Sequence, residues 1–270
     1  MGVLTIVACV WGVLVLVSVP LALSVLTSFF PALAPSRRTS GRIVDRGAAC
    51  LIAATCALAY WMWRTRFLPY VRALDPRTTV VVAHALVAHA LWLGTVINWA
   101  FACLLSPRAL APGVRGLPTT CAHCGSAQAR RTEHCRTCAA CIAGFDHHCP
   151  FIAQCVGAHN SGCFLRFLAF AAAGCAYATC VSFAPFFECI ALPVANLSFG
   201  WRSSRPRPDA ACRLVQEYAL LFVPTAGMCA LVALLAAWQC YLRVAGDSTA
   251  NFVRRWRGRA PSSKDATARR

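Results

Sequence analysis

Long apolar runs, broken by short basic stretches and one polar insert, set the frame of this chain. Windows of about 17 to 25 apolar residues, the length a bilayer core requires, fall at 3–31, 48–63, 79–105, 164–194 and 216–242. The second window is the shortest and ends in Trp61-Met62-Trp63-Arg64, an aromatic and basic pattern typical of a membrane interface. It holds no charged residue, and Ala, Leu, Ile and Cys dominate it, which favours a span over a surface segment. Between the third and fourth windows the apolar pattern stops. The expected architecture is an α-helical integral membrane protein with four or five transmembrane helices. Its predicted parts are N-terminal helices over 1–105, a Cys-rich module over 106–163, a helix pair over 164–242 and a basic tail over 243–270.

Charge fits that frame. Only 13% of the 270 residues are charged and 59% are hydrophobic, whereas a soluble domain carries about a quarter charged residues. Lys and Arg outnumber Asp and Glu by 26 to 9, a formal net of +17. These cations sit in short loops and a tail beside apolar runs, where they act as topology signals and contacts to anionic lipid, so nucleic acid is not an expected partner. If 48–63 failed to cross, Arg37, Arg38, Arg42, Arg46, Arg64, Arg66, Arg72 and Arg77 would all lie outside; if it crosses, the first four become cytosolic. The count favours five spans and an external N-terminus. The first run lacks a basic leader and exceeds the apolar core of a signal peptide, so it reads as an anchor. Ile6 stands where N-myristoylation needs Ser or Thr. Asn196-Leu197-Ser198 forms a glycosylation sequon close to the membrane on the predicted external side.

The polar insert carries the chemistry. It reads Cys121-x2-Cys124-x9-His134-Cys135-x2-Cys138-x2-Cys141-x4-Asp146-His147-His148-Cys149-x5-Cys155. A structural zinc site takes four N/S ligands, so two zincs need eight. Seven Cys and three His are present, which leaves two donors over. If these are one Cys and one His, they form a thiol beside a base, the minimum for nucleophilic catalysis. Asp146 stands next to His147, two residues from Cys149, and Pro150 restricts the backbone after that thiol. The competing reading is a purely structural zinc module in which Cys149 is a spare ligand or a buried thiol. Thiolates of either kind require a reducing compartment, so the module should face the cytosol. Cys189 and Cys212 flank a loop on the opposite side, where a disulfide is compatible with their placement.

With these residues in view, the insert resembles the cysteine-rich domain of the DHHC protein S-acyltransferases, over about 45 residues that continue through Asn160 and Phe164. The resemblance implies a palmitoyltransferase in which Asp146, His147 and Cys149 are catalytic. It assigns one structural zinc to Cys121, Cys124, His134 and Cys141, and a second to Cys135, Cys138, His148 and Cys155. It further implies acyl-CoA, such as palmitoyl-CoA, as donor, and protein substrates with membrane-proximal cysteines as acceptors. The expected setting is the lipid bilayer of the endomembrane system (ER, Golgi or plasma membrane). The family's common plan has four spans, two of them before the cysteine-rich domain. Outside the insert the likeness thins: Ser106-Pro107-Arg108 replaces Asp-Pro-Gly, and Ser248-Thr249-Ala250-Asn251 replaces Thr-Thr-x-Glu. Loss of that acidic residue is expected to loosen the tail from the cysteine-rich domain. Two other classes remain at this stage. One is a non-catalytic membrane adaptor; the other is a RING-like ubiquitin ligase, whose cross-brace spacing the insert does not show.

Overall fold

The computed structural model describes residues 37–107, 120–126, 128, 131–191, 209–256 and 258. The predicted run at 3–31 and the sequon at Asn196 lie outside the described residues. Among the described residues, four helical stretches are long and apolar enough to cross a bilayer: Gly41–Leu74, Thr78–Leu104, Ser161–Ala191 and Cys212–Val244, of 34, 27, 31 and 33 residues. At 1.5 Å per residue even the shortest extends about 40 Å, more than the apolar thickness of a membrane. Their outward faces carry large apolar side chains such as Leu86, Val223 and Leu234, each at least 60% exposed. Two of the four precede the Cys/His insert and two follow it.

The first stretch differs from its prediction. Helix α1 (Arg37–Met62) does not stop at the interfacial-looking Trp61-Arg64 pattern but passes through a π-helical turn (Trp63–Phe67) into α2 (Leu68–Leu74). Pro69 lacks an N–H and its ring crowds the carbonyl four residues back, so the helix widens just ahead of it. The wider turn brings Trp63 and Phe67 to one side, where they are 5% and 3% exposed. Trp63 is therefore a packing residue and not a membrane-surface anchor.

By chain contacts the protein forms two compact units. The described parts of Ala53–Ile97 and Arg166–Ala237 make the first. It contains most of α3 (Thr78–Leu104), most of α4 (Ser161–Phe186), the amphipathic α5 (Asp209–Ala219) and most of α6 (Phe222–Val244). Phe67 stacks on Tyr218 of α5 at 5.0 Å, and Arg66 pairs with Glu217 at 2.9 Å. A disulfide between Cys189 and Cys212 ties the end of the third spanning stretch to α5. Polar groups inside the spans are satisfied side chain to side chain: His84 with Tyr177, His89 with Tyr60, Trp63 with Tyr177. A bilayer offers no water to do this. Gly94 is required by close approach, since a Cβ there would lie 2.4 Å from the ring of Phe170.

The described parts of Val7–Ile52, Asn98–Leu165 and Trp238–Arg270 form the second unit. It is built on two short antiparallel hairpins: β1 (Glu133–Cys135) with β2 (Ala140–Ile142), and β3 (His147–Cys149) with β4 (Gln154–Val156). The hairpins join where Gly157 meets Ala143, and a Cβ on Gly157 would sit 2.7 Å from the Ala143 carbonyl. Asn160, fully buried, accepts from the Gly157 N–H and donates to the carbonyls of Ala102 and Cys155. Helix α7 (Thr249–Trp256) closes the unit from the C-terminal side. One hydrophobic cluster in this module buries Ile142 with Cys135 and Cys155, and Ile152 and Val156 are buried as well.

Candidate functional site

The two hairpins present two Cys/His clusters, Cys121-Cys124-His134-Cys141 and Cys135-Cys138-His148-Cys155, whose donor atoms lie within 4.8 Å of one another in each group. Zinc bond lengths of about 2.3 Å to sulfur and about 2.0 Å to nitrogen place tetrahedral donors about 3.5 to 3.8 Å apart. In the first cluster Cys121 Sγ lies 3.7 Å from His134 Nδ1, and the sulfurs of Cys124 and Cys141 are 3.6 Å apart. In the second, His148 Nδ1 lies 3.7, 3.4 and 3.5 Å from the sulfurs of Cys135, Cys138 and Cys155. Each donor set, three sulfurs and one nitrogen, thus fits a tetrahedral zinc. Backbone N–H groups of His123 and Cys138 point at the Cys121 and Cys135 sulfurs at 3.4 Å.

Strand periodicity explains why the two ligand sets interleave. Pairing sets His134 opposite Cys141 and His148 opposite Cys155, so each hairpin contributes one His and one Cys across its rungs to one cluster. Successive residues of a strand point to opposite faces. Cys135, next to His134, therefore turns away from the first cluster and joins the second. The same rule separates the adjacent histidines: His148 faces a cluster, while His147 and Cys149, two residues apart, share the other face of β3.

On that face Asp146, His147 and Cys149 come together. His147 Nδ1–H donates to Asp146 Oδ2 at 2.6 Å. Burial works against the charged imidazole, but the hydrogen bond to Asp146 and the neighbouring Cys149 thiol outweigh it and raise the group to about 9. Burial likewise pushes the Asp146 carboxyl up, and hydrogen bonds from His147 and Thr249 more than reverse this, leaving it below its ordinary value. Cys149 is 5% exposed. Phe164 stands edge-on to the His147 ring at 5.5 Å. An imidazole oriented by a carboxylate thus shares a strand face with a thiol two residues away.

Several supporting groups escaped the sequence. Thr249 donates to Asp146 twice, from its N–H to Oδ1 at 2.7 Å and from its hydroxyl to Oδ2 at 3.0 Å, and Gln239 adds a bond at 3.3 Å. The tail is thus held to the module despite the missing acidic residue. Asn251, in that residue's place, accepts from Arg254, which also pairs with Glu133 of β1. Ser106-Pro107, where the family motif degenerates, still closes the module, because Ala143 N–H donates to the Pro107 carbonyl at 2.9 Å. Gln154, opposite Cys149 in the register, donates to the carbonyls of Ala102, Cys103 and Leu105 at the end of α3. Trp99 donates to the Phe151 carbonyl at 3.0 Å. The turn between Cys149 and Gln154 is therefore pinned on both sides to the C-terminal part of α3. Asp45 of α1 reaches His148. No sequence signal marked these long-range pairs except at Pro107, Thr249 and Asn251, which stood in recognisable but degenerate motifs.

A comparison with curated proteins finds no match. Residues 116–255, more than half of the chain, match the family described as DHHC palmitoyltransferase, and this span takes in both clusters, Asp146, His147, Cys149 and Thr249. With that match and the spanning helices beside a two-cluster module, the chain belongs to the DHHC palmitoyltransferase family, whose members are protein S-palmitoyltransferases.

Proposed function

We propose that this protein transfers a long-chain acyl group, palmitoyl in the first instance, from acyl-CoA through a thioester on Cys149 to cysteines of membrane-proximal proteins. The observation that supports this is the shared face of β3: His147, oriented by Asp146, lies on the same strand face as Cys149, while His148 between them turns to the second Cys/His cluster. In the first step His147 takes the Cys149 proton, and the thiolate attacks the thioester carbonyl of acyl-CoA. The carbon–sulfur bond to CoA breaks, and the CoA thiolate leaves with the proton returned by His147. In the second step the acceptor cysteine loses its proton to His147 and attacks the Cys149 thioester, and Cys149 is released. Asp146 keeps the ring in one tautomer and balances the imidazolium in both steps.

Zinc would be held by Cys121, Cys124, His134 and Cys141 and by Cys135, Cys138, His148 and Cys155, and would supply folding energy to the module. In small zinc-finger peptides such binding is worth about 10 to 16 kcal/mol. The helices on either side of the module would hold the acyl chain in the bilayer, where each buried methylene contributes about 0.8 kcal/mol.

Redox chemistry supports a cytosolic module in an endomembrane protein. The thiol clusters need a reducing side, and Ser161–Ala191 runs from the module to the disulfide-bonded Cys189, which needs an oxidising one. The deciding experiment is incubation of the purified protein with palmitoyl-CoA. A hydroxylamine-labile adduct on Cys149, absent in Cys149→Ser, is expected; an adduct that persists in Cys149→Ser sinks the mechanism.

A further inference from the structure

We propose that Asp45 is a positioning residue of the second metal site, which makes the foot of the first spanning helix a working part of the cysteine-rich module. Asp45 precedes His148 by 103 residues, yet its Oδ2 lies 3.0 Å from His148 Nε2. The opposite ring nitrogen, Nδ1, faces the sulfurs of Cys135, Cys138 and Cys155. An imidazole that gives one nitrogen to a metal presents the other as an N–H donor. A carboxylate at that position fixes the tautomer and the ring plane and strengthens the ligand. Asp45 is 6% exposed, and a carboxylate so buried persists only when paired. Among the described residues its partner is His148 alone, although Arg42 and Arg46 stand on the same face of α1.

Two further observations support a specific role. Gly41, one turn before Asp45, lies so near the β1–β2 turn that a Cβ would sit 2.9 Å from Thr137 Cγ2. The helix foot is thus pressed onto the loop that carries Cys135 and Cys138. The first cluster lacks this arrangement: among the described residues no carboxylate hydrogen-bonds His134, whose ring lies beside His123 at 5.0 Å. A cavity of about 560 Å³, lined in part by Arg42, Asp45, Cys138 and His148, opens beside the second site.

The assignment rests on both clusters holding zinc, and its test reads metal rather than acyl transfer. Full-length protein is challenged with the chelator 4-(2-pyridylazo)resorcinol and the release of each ion is timed. Cobalt-substituted samples report ligand geometry through their visible spectra. Asp45→Ala is expected to quicken one release phase by about 10- to 100-fold. The affected phase is the one missing in His148→Ala; the other phase stays at the wild-type rate. Asp45→Asn, which keeps an acceptor oxygen without the charge, falls between and shifts the cobalt bands. Arg46→Ala, on the same helix turn, changes neither phase. Equal quickening of both phases in Asp45→Ala overturns the proposal, because it marks general loosening of the module. Should Asp45→Ala fail to fold, an Asp45→Asn protein identical to wild type in release and spectrum overturns it alone. A wild-type protein that releases a single metal ion overturns the two-zinc reading and this assignment together.

Discussion

The two hairpins are near copies in geometry and opposites in use. Each runs residue-His-Cys on its first strand, Glu133-His134-Cys135 in one and His147-His148-Cys149 in the other, and each pairs its central His with a Cys across the sheet. In the first hairpin both faces serve metal, His134 to one cluster and Cys135 to the other. In the second, one face serves metal and the reverse face carries Asp146, His147 and Cys149. On the proposed mechanism, catalysis needs no new scaffold: it needs one strand face released from ligation, with a metal held on the opposite face to keep that strand still.

Substituting equivalent positions breaks the comparison most sharply at the Cys. Cys135→Ser should lose a metal ion and unfold the module, because the remaining thiolates are left without a tetrahedron. Cys149→Ser should keep two metal ions and form no adduct; metal analysis and acyl labelling on the same samples decide it. The histidines come next. His147→Ala should slow autoacylation by about 10² to 10⁴ with both metals retained, whereas His148→Ala should lose one metal. Zinc lost from His147→Ala and kept in His148→Ala would reverse the two roles. A smaller effect is expected at the tail: Thr249→Ala removes the hydroxyl bond to Asp146 but not the backbone one, and should lower the acylation rate about tenfold, the worth of one hydrogen bond to a charged group. Single-turnover labelling at saturating acyl-CoA measures it. Least of all should Glu133→Ala matter, though Glu133 occupies the place of His147 in the other hairpin. Its partly exposed pair with Arg254 is worth about 0.2 to 1 kcal/mol, seen as a small fall in Tm with autoacylation unchanged.

What the sequence disclosed follows a physical line between local and distant causes. Spans are legible because a bilayer imposes a local length and composition. The 79–105, 164–194 and 216–242 windows match helices in the structure to within a few residues. Zinc ligands are legible because Cys-x2-Cys spacing reflects the reach of a short turn around one ion. The partition of His147 from His148, which the sequence alone left open and the family likeness supplied, has its physical basis in the period of a strand only three residues long. Partners contributed by distant segments were not legible. Asp45 sits in a stretch whose arginines read as topology signals, and nothing nearby pointed to a ring 103 residues away. Trp63 looked interfacial because its neighbours are aromatic and basic, while α5, which carries Tyr218 of the cluster that buries it, shows no apolar run of its own.

The alternation in β3 bears on how the protein acquires its metal during synthesis. A one-residue slip of β3 against β4 would turn His147 and Cys149 toward the second cluster and His148 toward the reaction face. Zinc accepts either set of donors, so the slipped chain would be fully metallated and inert, an isomer trapped by the ion that should have stabilised it. Asp45 seated on His148 is satisfied only in the native register. This contact would select between isomers that the metal itself cannot tell apart. Active-site titration below the zinc count in a purified sample then measures the trapped fraction, and slower metal delivery during expression is the condition that should reduce it.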